Sequence, residues 1–130
     1  MITQTMMQTQ LDEIGNYPDA IEQLFQWSQR VGYLDIEALK QNPHFQFTHP
    51  ESGVRLKAQV NIVRSLYSES QLKTQPKHSC PICFSLVDSE EKPLLRAWEI
   101  DFPTNKRFFL QFSPFPLAAK HIVIIEKKHS

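Results

Sequence analysis

A chain of 130 residues, 41% hydrophobic and with 14 basic residues matching 14 acidic ones, has the size and composition of one soluble globular domain with a modest core. Its zero net charge removes the simple electrostatic case for a nucleic-acid polymer or an anionic membrane, and Lys127-Lys128 is too short to act as a basic patch. No stretch reaches the roughly 18 consecutive apolar residues of a membrane helix, and the N-terminus lacks a signal-peptide pattern, so a cytoplasmic location is expected.

The first ten residues are polar and poor in branched apolar side chains. Residues 1–15 are accordingly read as a flexible lead, and 16–130 as a single domain. Helical periodicity begins next: Ile21, Leu24, Phe25, Val31 and Leu34 share one face, Pro18 suits a first turn, and Asp19 with Glu22 has the form of a capping box. A second short helix is expected over residues 35–41, stopped by Asn42-Pro43, which makes 18–41 the helical part.

At Phe45 and Phe47 the period switches to two, opening a strand-rich part over 44–130. Pro50-Glu-Ser-Gly53 turns the chain, and Val54, Leu56, Ala58, Val60 and Ile62 then alternate with Arg55, Lys57, Gln59 and Asn61. The polar face of that strand suits either solvent or a ligand. A polar connector at 65–77 leads to a cysteine pair. Beyond it, strands are expected at Trp98, Ile100 and Phe102, at Phe108, Leu110 and Phe112, and from His121 to Glu126. Ser113-Pro-Phe-Pro116 must be a turn or crossover, because proline donates no ladder hydrogen bond. The run Ile122-Val-Ile-Ile125 reads as a central strand, and few candidate neighbours follow it, which suggests part of a larger fold. The fold class is therefore α+β, with N-terminal helices followed by a mostly antiparallel sheet.

Cys80-Pro-Ile-Cys83 has the spacing at which two thiolates on a tight turn reach one tetrahedral metal, and Lys77 and His78 beside it favour the thiolate form. Thiol exchange expects such a pair at the start of a helix after a buried strand, which the polar connector does not supply; two unliganded cysteines are the third reading. A zinc site needs further ligands, for which His78, His121 and His129 are the candidates. His129 is preferred because it stands just past a strand end, whereas His121 shares the parity of Val123 and Ile125 and is expected to pack. His44 and His49, near the Phe45/Phe47 strand, are expected at the surface. Motifs for a serine nucleophile elbow, a phosphate-binding loop and a zinc protease are all absent, and three glycines cannot build a glycine-rich cradle. If phosphate is bound, side chains must hold it, and Arg64 with Arg55, Lys57 and Asn61 are the natural donors.

The segment from Cys80-Pro-Ile-Cys83 through Phe108-Phe-Leu-Gln-Phe-Ser-Pro-Phe-Pro-Leu-Ala-Ala-Lys-His-Ile-Val-Ile-Ile-Glu-Lys-Lys-His129 resembles the front half of the histidine-triad superfamily. The likeness is to the branch that contains galactose-1-phosphate uridylyltransferase, diadenosine tetraphosphate phosphorylase and the GDP-galactose phosphorylases, and within it to the DUF4922 family. Ser113-Pro-Phe-Pro116 resembles that family's Asn-Pro-Phe-Pro turn. Gln59, Asn61 and Arg64 align with its Gln-Phe-Asn-Pro-x-Arg segment, from which Val60 and Ile62 depart. In all, the resemblance covers roughly residues 20–130.

The resemblance implies an incomplete histidine-triad-like fold, a structural zinc held by Cys80, Cys83 and His129, and a nucleotide or sugar-nucleotide phosphate ligand near Gln59, Asn61 and Arg64. It implies nucleotidyltransferase or phosphorylase chemistry, with the nucleophilic triad histidine and the fourth zinc ligand beyond Ser130. None of the five histidines stands in an HxH arrangement, so the chain as written is expected to bind without turnover and carries no catalytic residue. The alternative is a non-catalytic zinc-knuckle module for a nucleotide or a protein, with His78 as a local fourth ligand. A further expectation is a second chain that supplies the missing half, or a homodimer formed through the Ile122–Ile125 strand.

Overall fold

The computed structural model describes residues 1–62 and 80–129. Two helices, α1 (Gln4–Ile14) and α2 (Tyr17–Arg30), are followed by a 3-10 turn at Glu37–Gln41, then strands β1 (His44–Thr48) and β2 (Arg55–Gln59). After the undescribed stretch come a 3-10 turn at Phe84–Leu86 and strands β3 (Trp98–Asp101), β4 (Arg107–Phe112) and β5 (Ile122–Glu126). The architecture is α+β, as the switch of hydrophobic period from helical to alternating predicts.

The supposed flexible lead is instead a helix. Thr3 caps it, its hydroxyl accepting from Met6 N at 3.2 Å, and Gly15 ends it in the left-handed region at φ 81°. Met7 and Leu11, one turn apart, are fully buried against α2 and the sheet. With Ile14 packed against the same cluster, they form the i, i+4, i+7 stripe that the surrounding glutamines and threonines obscure.

Helix α2 begins where expected, with Pro18 in its first turn, but its cap is Asn16 and not an Asp19/Glu22 box. Asn16 Oδ1 accepts from Asp19 N at 2.9 Å. Ala20, Leu24, Phe25 and Trp27 are buried along it, and Leu34 just after it closes the same core.

Strands β3, β4 and β5 form one antiparallel sheet in that order. Trp98, Ile100, Leu110 and Phe112 belong to the core that both helices share. Ala97 and Phe109 belong to a second core with Val87 and Leu95 from the loop beyond the cysteines. The central strand is therefore β4, with Phe109, Leu110, Gln111 and Phe112 all buried, and β5 lies at an edge among the described residues. Its aliphatic run suggests a central position, yet Phe-rich β4 carries the bulk that fills both cores, and it takes the middle.

Strands β1 and β2 pair antiparallel in a separate hairpin, with Phe45 opposite Ala58 and Phe47 opposite Leu56. This hairpin departs from the alternation rule, because both of its faces are exposed. Phe45 and Phe47 are each 54% exposed, and Val54, Leu56 and Val60 share the bare face. Among the described residues nothing covers it. No described helix is long and apolar enough to cross a membrane.

Candidate metal centre

The cysteine turn and the chain end are brought together because both rest on β4. Directly after Cys83, Phe84 packs edge-on against Phe109, with ring centroids 5.1 Å apart, and Leu86 N donates to Cys83 O at 3.0 Å to close the 3-10 turn. Lys92 Nζ donates to Pro81 O at 3.0 Å, tying the middle of the turn to the loop beyond it. From the other side, β5 is held to β4 along its whole length, and Lys127 N extends the ladder by donating to Arg107 O at 2.9 Å. Lys127 Nζ then lies 4.6 Å from the Phe84 ring centroid and 2.8 Å from Glu99 Oε1. These contacts fix the direction in which the chain leaves β5, and His129 follows two residues later.

The ligand atoms of Cys80, Cys83 and His129 all lie within 4.8 Å of one another. Cys83 Sγ is 3.0 Å from His129 Nδ1. The cysteines are half-buried, His129 is exposed, and the group opens into a cleft of about 260 Å³ that Ile82, Ile125, Lys127 and Lys128 also line. Contact with the Cys83 side chain and a backbone hydrogen bond from Ile82 hold the Cys80 thiol below its ordinary value. That same contact, followed by desolvation and the charge on Cys80, pushes the Cys83 thiol up. Two sulfur donors and an imidazole at this separation are able to ligate one metal ion, and they are a soft donor set.

The other candidates are placed elsewhere. His121 Nδ1 accepts from Leu117 N at 3.2 Å, so it closes the turn after the prolines and takes no part in the cysteine group. His49 Nδ1 accepts from Ser52 N at 3.2 Å in the β1–β2 turn, and His44 is exposed at the start of β1. His78 and Arg64 lie outside the described residues. Gln59 ends β2 opposite His44. Asn61 Nδ2 donates to Phe115 O at 2.9 Å, which joins the end of the hairpin to the Ser113-Pro-Phe-Pro116 turn. A recess of about 50 Å³ lined by Asp35, Asn42, Pro114 and Pro116 adjoins it. Arg55 and Lys57 point to solvent on the hairpin's polar face. Thus Asn61 meets the proline turn, and neither Gln59 nor Asn61 lines the cleft at the cysteines.

Two features of the surroundings escape a reading by periodicity. Glu99 is mostly buried and takes both Lys127 and, at 2.9 Å, Arg107. Arg96 is 3% exposed, stacked 5.1 Å from the Trp27 ring centroid and paired with Asp88 at 3.1 Å. No protein-family model, no curated protein and no solved structure matches the chain.

Proposed function

We propose that the chain is a zinc-clamped binding domain in which Cys80, Cys83 and His129 hold one structural ion. What carries the reading is the convergence of three ligand atoms from two separate elements within 4.8 Å. Structural zinc takes four ligands, and sulfur with imidazole is its usual donor set. His78, the local candidate for the fourth ligand, lies outside the described residues. The ion joins the cysteine turn to the residues after β5, so its role is to hold the chain path and not to activate water. Metal analysis of the purified protein tests this. One tightly held zinc per chain, lost in Cys83→Ser and in His129→Ala, is the expected result; a folded protein free of metal overturns it.

A second reading, nucleotide-phosphate binding without turnover, is favoured by one contact. The resemblance to the DUF4922 branch of the histidine-triad superfamily rests on two segments far apart in sequence, and Asn61 of the first donates to Phe115 of the second. On this reading Gln59, Asn61 and Arg64 face the phosphates of a nucleotide or sugar nucleotide, and the transferase or phosphorylase chemistry of that branch needs a triad histidine, for which residues 1–130 hold no HxH segment. Titration with ADP, GDP and UDP-glucose checks it. Saturable binding that Asn61→Ala and Arg64→Ala both weaken supports the reading, and no binding of any of the three rejects it.

A further inference from the structure

We propose that Cys80 and Cys83 form a reversible redox latch: a small-molecule disulfide such as oxidised glutathione closes them into a disulfide of their own, and closure unfastens His129. The ion that closure expels is the one in the zinc reading above, on which that part rests; the disulfide itself needs no ion.

The two cysteines are free thiols on either side of one turn, and their side chains touch through a hydrogen bond. Both are half-buried and border a cleft of about 260 Å³, with Ile82 between them 49% exposed, so a small disulfide has a path to the sulfurs. The contacts that hold the turn do not use the sulfurs. Phe84 packs on Phe109, Leu86 N donates to Cys83 O, and Lys92 Nζ donates to Pro81 O. Strand β5 is held separately, up to the bond from Lys127 N to Arg107 O. Closing the disulfide therefore turns two side chains and leaves both cores as they are.

The chain end depends on the sulfurs. Past Lys127, what joins it to the turn among the described residues is the 3.0 Å contact between Cys83 Sγ and His129 Nδ1, with any ion the three side chains share. A disulfide sulfur has no proton to give the imidazole, and it is not the thiolate that ligates a metal. Oxidation thus removes both means of holding His129.

The reaction is thiol–disulfide exchange. One cysteine thiolate attacks a sulfur of the small disulfide, forming a mixed disulfide and expelling one thiolate. The neighbouring cysteine thiolate then attacks the cysteine sulfur of that mixed disulfide and expels the second. Two electrons pass from the cysteine pair to the small disulfide, which leaves as two thiolates that take protons from solvent. A zinc ion departs with two positive charges, having lost two of its three described ligands. Because the second step is intramolecular, the mixed disulfide does not accumulate. An accessible cysteine beside a resolving partner is the arrangement of a redox sensor.

Treating the full chain, purified under reducing conditions, with oxidised glutathione tests the proposal by intact-protein mass, a zinc-sensitive dye and hydrogen exchange. The expected product is lighter by two hydrogen atoms, has released one zinc per chain oxidised and exchanges faster at Lys128 and His129, with unchanged far-ultraviolet circular dichroism. Dithiothreitol with added zinc restores the starting state. Cys80→Ser and Cys83→Ser each stop at a mixed disulfide, while His129→Ala keeps both sulfurs and still closes the ring, which separates the latch from the metal site. A protein that purifies without zinc defeats the metal reading alone, and the mass and exchange measurements then decide the latch. A zinc-loaded protein whose cysteines stay reduced overturns the latch and spares the metal reading. A mixed disulfide that persists in the unsubstituted chain, or a closed disulfide with exchange at Lys128 and His129 unchanged, also overturns the latch.

Discussion

Gln4 and Ala97 stand 93 positions apart and bind each other as two strands would. The Gln4 side-chain amide donates to Ala97 O at 2.7 Å and accepts from Ala97 N at 2.9 Å. Gln8 repeats the arrangement one helical turn on, at 2.9 Å to Glu99 O and 2.8 Å from Glu99 N. A helix with few apolar residues is thereby fastened to the sheet edge through polar groups that would otherwise be left to compete with water.

Removing either amide leaves a part-buried backbone donor and acceptor without partners. Gln8→Ala is expected to lower stability by about 1–3 kcal/mol, and Gln8→Glu also to destabilise, because it replaces the donating amide with a second acceptor. Urea unfolding followed by circular dichroism measures both; wild-type stability in the two variants would mean that α1 is held by Met7 and Leu11 alone.

Among the described residues Arg96 is the one charged side chain that is buried. Its Nε donates to Ile2 O at 2.9 Å, Nη1 to Pro93 O at 2.7 Å, and Nη2 pairs with Asp88. Burial lowers its affinity for the proton, partly offset by Asp88, but a guanidinium stays charged across the working pH range. Arg96→Ala is expected to cost about 2–3 kcal/mol, because it leaves the Ile2 and Pro93 carbonyls without their charged donor while Asp88 stays open to solvent, and Arg96→Met less because it keeps packing over Trp27. Equal losses in the two variants would place the whole effect in charge and hydrogen bonding.

Zinc binding should be visible as stability. At free metal a hundred to a thousand times the dissociation constant, binding to the folded state alone adds about 3–4 kcal/mol, and a strong chelator removes that increment. The amides of Ile125 and Lys127 should then exchange faster with solvent, since His129 anchors the chain just past β5. Hydrogen-exchange mass spectrometry reads the difference, which Cys80→Ser should reproduce without chelator.

The bare face of the β1–β2 hairpin gives the opposite expectation. Phe45 and Phe47 join neither core among the described residues, so Phe45→Thr with Phe47→Thr should change stability by no more than about 0.5 kcal/mol per site while lowering binding of a hydrophobic dye. A loss of several kcal/mol would show that this face is covered in solution.

Much of the fold is legible in the amino-acid order because local rules act on neighbouring residues. Pro18 and the apolar stripe after it mark α2, the alternation around Phe47 and Leu56 marks the hairpin, and the phenylalanines of 108–112 mark a strand. The cysteine spacing, with His129 set just past the last strand, names the three ligand candidates that the fold brings together. Tertiary structure alone decided what depends on distant partners. Whether the polar first turns form a helix rests on Ala97 and Glu99, 93 and 91 residues away. Whether β5 is central or at an edge rests on which strand fills both cores, and that is a matter of side-chain volume on β4. His121 and His129 are chemically identical in sequence; the turn after Pro116 engages one, and the path beyond Lys127 carries the other to Cys83.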